Sequence, residues 1–260
     1  MQDVKSQDIS NMIWAYAKLG VQPGQPLLNA AFARLSEEAH ITGSQGIANF
    51  VWACAQLNCS PPPKFLNVMT ARMQDILSTA HAQHNTNFLG ACVKLHWTPD
   101  QQLVHLASLR MQQVLAGTNS QHLANMAWAC AKLKLQPANS FLQGAVVQMQ
   151  QLLPSCTAQG LANFLWAYGE LGCRPATPFL NVATWRVKQL LPAANVIVLC
   201  QVAKAYASFQ YRPSGPFMED MAWRFQALLL TSDKGQHKQV CEAYKTLDLR
   251  PTAPWFTSCA

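Results

Sequence analysis

A proline recurs at every thirty-eighth position of this chain, as Pro23, Pro61, Pro99, Pro137, Pro175, Pro213 and Pro251. An alanine keeps the same step at Ala15, Ala53, Ala91, Ala129, Ala167, Ala205 and Ala243. No residue is inserted or deleted between these beats, so the chain consists of copies of one unit, and the period constrains the fold before any motif does. Such a chain builds an extended surface from stacked units, each packed on its neighbours.

The fourth copy shows what the unit is. Leu123, Met126, Ala127, Cys130 and Leu133 recur at three- and four-residue steps, the signature of an amphipathic helix. Ser120, matched by Ser6 and Ser44, is read as the N-cap of that helix. Lys134 then occupies a column that is Gly20, Gly172 or Asn58 elsewhere, residues that stop helices in the left-handed conformation. Pro137 follows and cannot continue a helix.

A second helix opens near Ser140, whose column is Pro26, Pro178, Pro216 and Pro254 in other copies. Its apolar stripe is Phe141, Leu142, Ala145, Met149, Leu152 and Leu153. The unit is a helix–turn–helix of two helices of roughly 13 residues, and no strand-like alternation competes. The expected fold is all-α, a right-handed α-solenoid of about seven 38-residue repeats. Residues 1–260 form a single array, with repeats at 5–42, 43–80, 81–118, 119–156, 157–194, 195–232 and a truncated 233–260. Neither end carries the polar capping repeat that a solenoid needs, so the sequence reads as a piece of a longer protein.

The first helices read SQDISNMIWAYAKLG, SQGIANFVWACAQLN, SQHLANMAWACAKLK and AQGLANFLWAYGELG in copies one, two, four and five. The Leu/Ile-Ala-Asn-apolar-apolar-Trp-Ala pattern, followed by Leu-Gly, Pro and an apolar helix, resembles the octotricopeptide repeat family across essentially the whole chain. Organellar proteins that join such repeats to a RAP domain, the FAST-kinase-like proteins among them, are similar in style, although no RAP-like segment is visible. The resemblance implies sequence-selective binding of single-stranded RNA in a chloroplast or mitochondrion. It further implies a role in transcript stability, processing or translation, with other proteins of a ribonucleoprotein complex as partners. The motif tryptophan stands at Trp14, Trp52, Trp128 and Trp166 but is Gly90, Lys204 and Glu242 in copies three, six and seven. The motif asparagine becomes Gln201 and Gln239, so copies six and seven are degenerate.

Composition agrees with a polyanionic partner. Nineteen basic residues against 12 acidic ones leave a formal net charge of +7. Gln7, Asn11 and Lys18 lie on one side of the first helix, and the stripe recurs as Gln45, Asn49 and Gln56; Gln83, Asn87 and Lys94; Gln121, Asn125 and Lys132; and Gln159, Asn163 and Glu170. Amide side chains hydrogen-bond base edges that single-stranded RNA exposes, about one base per helical repeat. An asparagine that is constant in five copies cannot discriminate between bases. It either grips every nucleotide alike or ties neighbouring repeats together through backbone hydrogen bonds. The columns that change are the better code candidates: Asp8, Gly46, His84, His122 and Gly160, and the Lys18 to Glu170 column. Each could equally be solvent-facing drift.

All eight arginines fall in two columns. Arg34, Arg72, Arg110, Arg186 and Arg224 share a place on the second helix; Arg174, Arg212 and Arg250 precede the periodic proline. Either set could meet a row of phosphates, with the loop column the better candidate. The alternative for the helix column is packing, with the head group on a helix-end carbonyl. Trp14 sits between Ile13 and Ala15 in a dense apolar segment, so the tryptophan column is expected in the core. Cys54, Cys92 and Cys130 occupy a column that is tyrosine elsewhere and read as small buried hydrophobes in a reducing compartment.

Neither CxxC nor any zinc spacing occurs, and no metal or cofactor is expected. Nor is there a phosphate loop, nucleophile elbow or HExxH, so no catalytic residue is assigned and the segment is read as a non-enzyme. There is no run of 18 apolar residues for membrane insertion, and the first ten residues resemble neither a signal nor a transit peptide. A protein-binding helical scaffold without direct RNA contact is the competing reading. Seven hairpins at roughly 10 Å per layer would engage about five to seven nucleotides at one base each.

Overall fold

A computed structural model of the chain describes residues 5–259, all in helices, turns and connecting loops. Residues 1–4 and the last residue of the truncated seventh repeat, 260, lie outside the described residues. Among the described residues, thirteen α-helices alternate in role. The first helices of successive repeats are α1 (Ser6–Leu19), α3 (Ser44–Gln56), α5 (Ala82–Lys94), α7 (Ser120–Leu133), α9 (Ala158–Glu170), α11 (Val196–Ser208) and α13 (Lys234–Thr246). The second helices are α2 (Gln25–Glu37), α4 (Pro63–Asp75), α6 (Gln101–Gln113), α8 (Asn139–Leu152), α10 (Thr177–Leu190) and α12 (Gly215–Ala227). The fold is the expected all-α solenoid of helical hairpins. Each second helix is followed by a short 3₁₀ turn, for example Leu77–Thr79 and Leu191–Ala193, which the periodicity had not revealed. The seventh copy ends in a 3₁₀ helix, Pro254–Cys259, where a second α-helix was expected to open.

Helix starts fall one residue earlier than the serine reading. Ser6, Ser44 and Ser120 are the first helical residues, and the cap column runs Lys5, Gly43, His81, Asn119, Thr157, Asn195 and Asp233. The side chain caps in the later copies: Asn119 Oδ1 accepts from the His122 N–H at 2.8 Å, Asn195 Oδ1 from Val198 at 3.0 Å, and Asp233 Oδ1 from Gln236 at 2.8 Å. Serine one position on has a helical backbone, so its hydroxyl no longer points at the free N–H groups.

The first helices end alike. Gly20, Asn58, His96, Lys134, Gly172, Gln210 and Asp248 all have positive φ, between 49° and 68°. The N–H of the next residue reaches back five residues, as Val21 to Tyr16 O (3.1 Å), Cys59 to Cys54 O (3.0 Å) and Tyr211 to Tyr206 O (3.0 Å). This is the Schellman arrangement, which satisfies carbonyls that a helix end would otherwise leave free. The periodic prolines follow it; six of the seven are buried, so they are packed as well as conformational.

Two compact units are present, Met1–Thr118 with Lys132–Phe141, and Asn119–Ala131 with Leu142–Ala260. In the first unit α3 packs between α1 and α5, and α4 between α2 and α6. Phe32, Phe50 and Phe65 form one ring cluster with centroids 5.0–5.6 Å apart. In the second unit α11 packs between α9 and α13. Tyrosines replace the cysteine column there and carry their hydroxyls to the second helices: Tyr168 Oη donates to Leu142 O at 2.6 Å, and Tyr244 Oη to Met218 O at 2.7 Å. Cys54, Cys92 and Cys130 are buried as expected, and burial pushes the Cys92 and Cys130 thiols up to about 12.

Repeat three carries a polar residue in the core. Asn85 stands where Ile9, Ile47, Leu123 and Leu161 stand in other copies; it is buried, and neither amide atom has a hydrogen-bond partner among the described residues. A buried amide left unpaired is costly. Asn85→Leu should stabilise the protein by about 2 kcal/mol, read as a higher urea midpoint. Gln210→Gly, at φ 49°, should add about 0.5–1 kcal/mol, whereas Gly172→Ala should lose about as much.

Candidate functional site

The first-helix layer of the first unit presents an open groove of about 530 Å³. Asn11, Trp14 and Lys18 line it from α1, Gln45, Asn49 and Trp52 from α3, and Gln83 and Asn87 from α5. Asn11, Trp14, Ala15 and Lys18 are spaced i, i+3, i+4 and i+7, one face of a helix. Stacking α1, α3 and α5 sets three such faces side by side, which is the polar ribbon expected from the stripe. Gln45, Gln83, Gln56, Lys94, Gln121 and Lys132 are exposed, and Asn49, Asn87 and Asn125 are half-buried.

Trp14 and Trp52 correct the core expectation for the tryptophan column, whereas Trp166 meets it. Trp14 is 38% exposed and Trp52 half-buried, both on the groove. Their neighbour Ile13 is fully buried. Adjacent residues on a helix point about 100° apart, so an apolar flank does not carry a side chain inward. The three-residue step from Asn11 to Trp14 was the signal that placed this ring beside the amides. Lys18 Nζ lies over both indoles, 5.2 Å from the Trp14 ring centre and 4.9 Å from that of Trp52.

The corresponding face of the second unit is built differently. Gln159 Nε2 donates to Asn163 Oδ1 at 2.9 Å and lies 2.8 Å from Gln201 Oε1; Gln201 Nε2 donates to Asn163 Oδ1 at 2.8 Å. Here the motif amide ties neighbouring repeats, through side chains and not through the expected backbone hydrogen bonds. Trp166 is only 9% exposed. Lys204, which replaces the tryptophan of copy six, pairs with Glu170 at 2.6 Å and lies 6.0 Å from the Trp166 ring centre.

In the variable column, Gly46 and His84 face neighbouring elements and lie outside the groove lining, and His122 is half-buried. A Cβ on Gly46 would meet Gln7 Oε1 at 3.2 Å and Thr42 Cγ2 at 3.3 Å. His84 Nδ1 is hydrogen-bonded to Ser44 Oγ at 3.0 Å. Burial and the adjacent His81 hold the His84 imidazole below its usual range, and burial alone does so for His122.

The helix arginines hold successive repeats together. Arg72 Nε donates to Thr42 O (3.2 Å), Arg110 Nε to Ala80 O (3.0 Å), Arg186 Nη2 to Cys156 O (3.1 Å) and Arg224 Nε to Ala194 O (3.2 Å). Each carbonyl lies 30 residues back, just after the 3₁₀ turn of the preceding repeat, as the packing alternative has it. Arg34 pairs instead with Glu37 and Glu38. In the loop column, Arg174 Nε donates to Phe209 O (2.9 Å) at the end of α11, Arg212 pairs with Asp248 at 3.6 Å, and Arg250 is exposed. The groove lining holds Lys18 and no arginine.

Among the described residues no three His, Cys, Asp or Glu side chains gather in a metal-binding group, and no helix is long and apolar enough to cross a membrane.

An open amide-and-indole groove on stacked helical hairpins marks the chain as a helical repeat protein. Residues 66–234 match the family described as Tbc2 translation factor, N-terminal domain, and the chain belongs to that family. No curated protein matches the chain.

The half-buried histidines make stability pH-dependent. Their folded-state affinity for a proton lies below that of the unfolded chain, near pH 6.5. Unfolded chains therefore take up these protons first, and stability should fall as pH drops below about 6.5. His84→Gln with His122→Gln should flatten that fall, measured as Tm between pH 7.5 and 5.

Proposed function

We propose that this protein is a non-catalytic, sequence-selective single-stranded RNA-binding repeat protein of the octotricopeptide kind. Its setting is a chloroplast or mitochondrion, where it acts in translation or in the stability or processing of a transcript. The observation that carries this reading is the groove of Asn11, Asn49, Asn87, Gln45 and Gln83 around two accessible indoles and a lysine. Amides offer both donors and acceptors to base edges, indoles offer stacking surfaces, and Lys18 offers positive charge. The family description supplies the link to translation. The repeat motif supplies the organelle and the expectation of ribonucleoprotein partners. A formal charge of +7 favours a polyanion.

A protein-binding scaffold is the second reading, and one feature favours it. Val147, Trp185 and Trp223, at 38-residue steps on α8, α10 and α12, are 63%, 65% and 49% exposed. Exposed apolar rows of this kind mark protein contacts.

Retention of a labelled single-stranded RNA pool at low salt separates the two readings. RNA binding should weaken about twentyfold between 50 and 200 mM salt if about three phosphates are contacted. Capture of a protein with no RNA retained at 50 mM salt sinks the RNA reading.

A further inference from the structure

The tryptophan column of the first unit has a gap. It runs Trp14, Trp52, Gly90, and a Cβ built on Gly90 would meet no atom within 4 Å. On α5, which packs on the helix that carries Trp52, the position of the column's next indole is therefore open, while Lys18 of α1 lies over the Trp52 ring. Gly90 lies inside α5, where glycine weakens a helix relative to alanine. No turn, positive φ or tight contact requires glycine there.

We infer that the gap at Gly90 is a slot for one unpaired nucleobase of single-stranded RNA, stacked on Trp52, with its edge facing Asn49, Asn87 and Gln83. The inference rests on the RNA-binding reading above and adds the subsite that would anchor the strand. Trp52, Asn49, Asn87 and Gln83 line the open groove of about 530 Å³, and Gly90 follows Asn87 by three residues, about one turn along α5. Its side-chain amides are unspent: those of Asn49, Asn87, Gln45 and Gln83 make no hydrogen bond among the described residues, and Gln83 is bonded only through its backbone, whose carbonyl accepts from Thr86 Oγ1. Stacking is tolerant of base identity because every base has a π-face. The slot therefore holds register along the strand, and the constant asparagine, alike for every base, fits that role.

The second unit lacks such a slot. Trp166 is 9% exposed, the Lys204–Glu170 ion pair stands where the next indole would be, and the amides of Gln159, Asn163 and Gln201 bond one another. Binding should depend on the first unit's tryptophan and be indifferent to the second unit's ion pair.

Fluorescence anisotropy of a labelled single-stranded RNA pool with the whole chain tests this. Trp52→Leu and Gly90→Trp should each weaken binding roughly tenfold without changing its salt slope. Trp52→Phe should bind within about twofold of the parent, since an aromatic face is kept. Lys204→Met should leave base stacking untouched. Circular dichroism checks that each variant is folded. If Trp52→Leu fails to fold, Gly90→Trp decides, because its side chain enters open space. If RNA binds but Trp52→Leu and Gly90→Trp bind as the parent does, the slot is wrong and RNA binding stands. If the parent retains no RNA at 50 mM salt, both readings fall.

Discussion

The close stacking of neighbouring first helices is the constraint on which the rest depends. The alanine that recurs every 38 residues is buried in six of its seven positions, at Ala53, Ala91, Ala129, Ala167, Ala205 and Ala243. Between α9 and α11 the approach is close enough that a Cβ on Gly169 would lie 3.2 Å from Ser208 Cβ and 3.6 Å from Ala205 Cα. A larger side chain in such a column would force the helices apart, since interiors are packed to crystal density. Packing these helices shoulder to shoulder brings Asn11, Asn49 and Asn87 onto one groove. Parted helices would scatter the same side chains over separate surfaces.

Charge serves this stacking as much as it serves a ligand. Four arginines that form a regular row in the sequence place a guanidinium nitrogen on a carbonyl of the preceding repeat. A charged donor on a carbonyl is among the stronger hydrogen bonds. It also satisfies an acceptor that the 3₁₀ turn leaves open. The row is periodic because the joint it closes is periodic. The second unit carries the same economy onto its exposed face, where Lys204 meets Glu170 and amides meet amides.

Much of the fold was legible in the chain, because its causes are local. A left-handed residue and then a proline end each first helix, and both the φ values and the prolines keep the 38-residue step. What escaped notice was also local but unaccented. The cap column runs Lys5, Gly43, His81, Asn119, Thr157, Asn195 and Asp233, too mixed to stand out beside three aligned serines. The 3₁₀ turns have no residue type of their own. For the candidate site, the polar stripe of Gln and Asn was readable from spacing, and the amide link between repeats was one of two alternatives that spacing left open. The exposure of Trp14 and Trp52 is hidden in the sequence by their apolar flanks, because adjacent residues on a helix point about 100° apart.

The sequence alone determined the period, the helical hairpin, the stripe of amides and the register in which arginines align. These follow from 3.6-residue geometry and from backbone preferences that each residue carries wherever it stands. Only the tertiary structure decided which tryptophans face solvent, which amides are already bonded, and that the space around Gly90 is open. Those outcomes depend on the side chains that the next repeat brings into contact, and nothing within a single repeat specifies them.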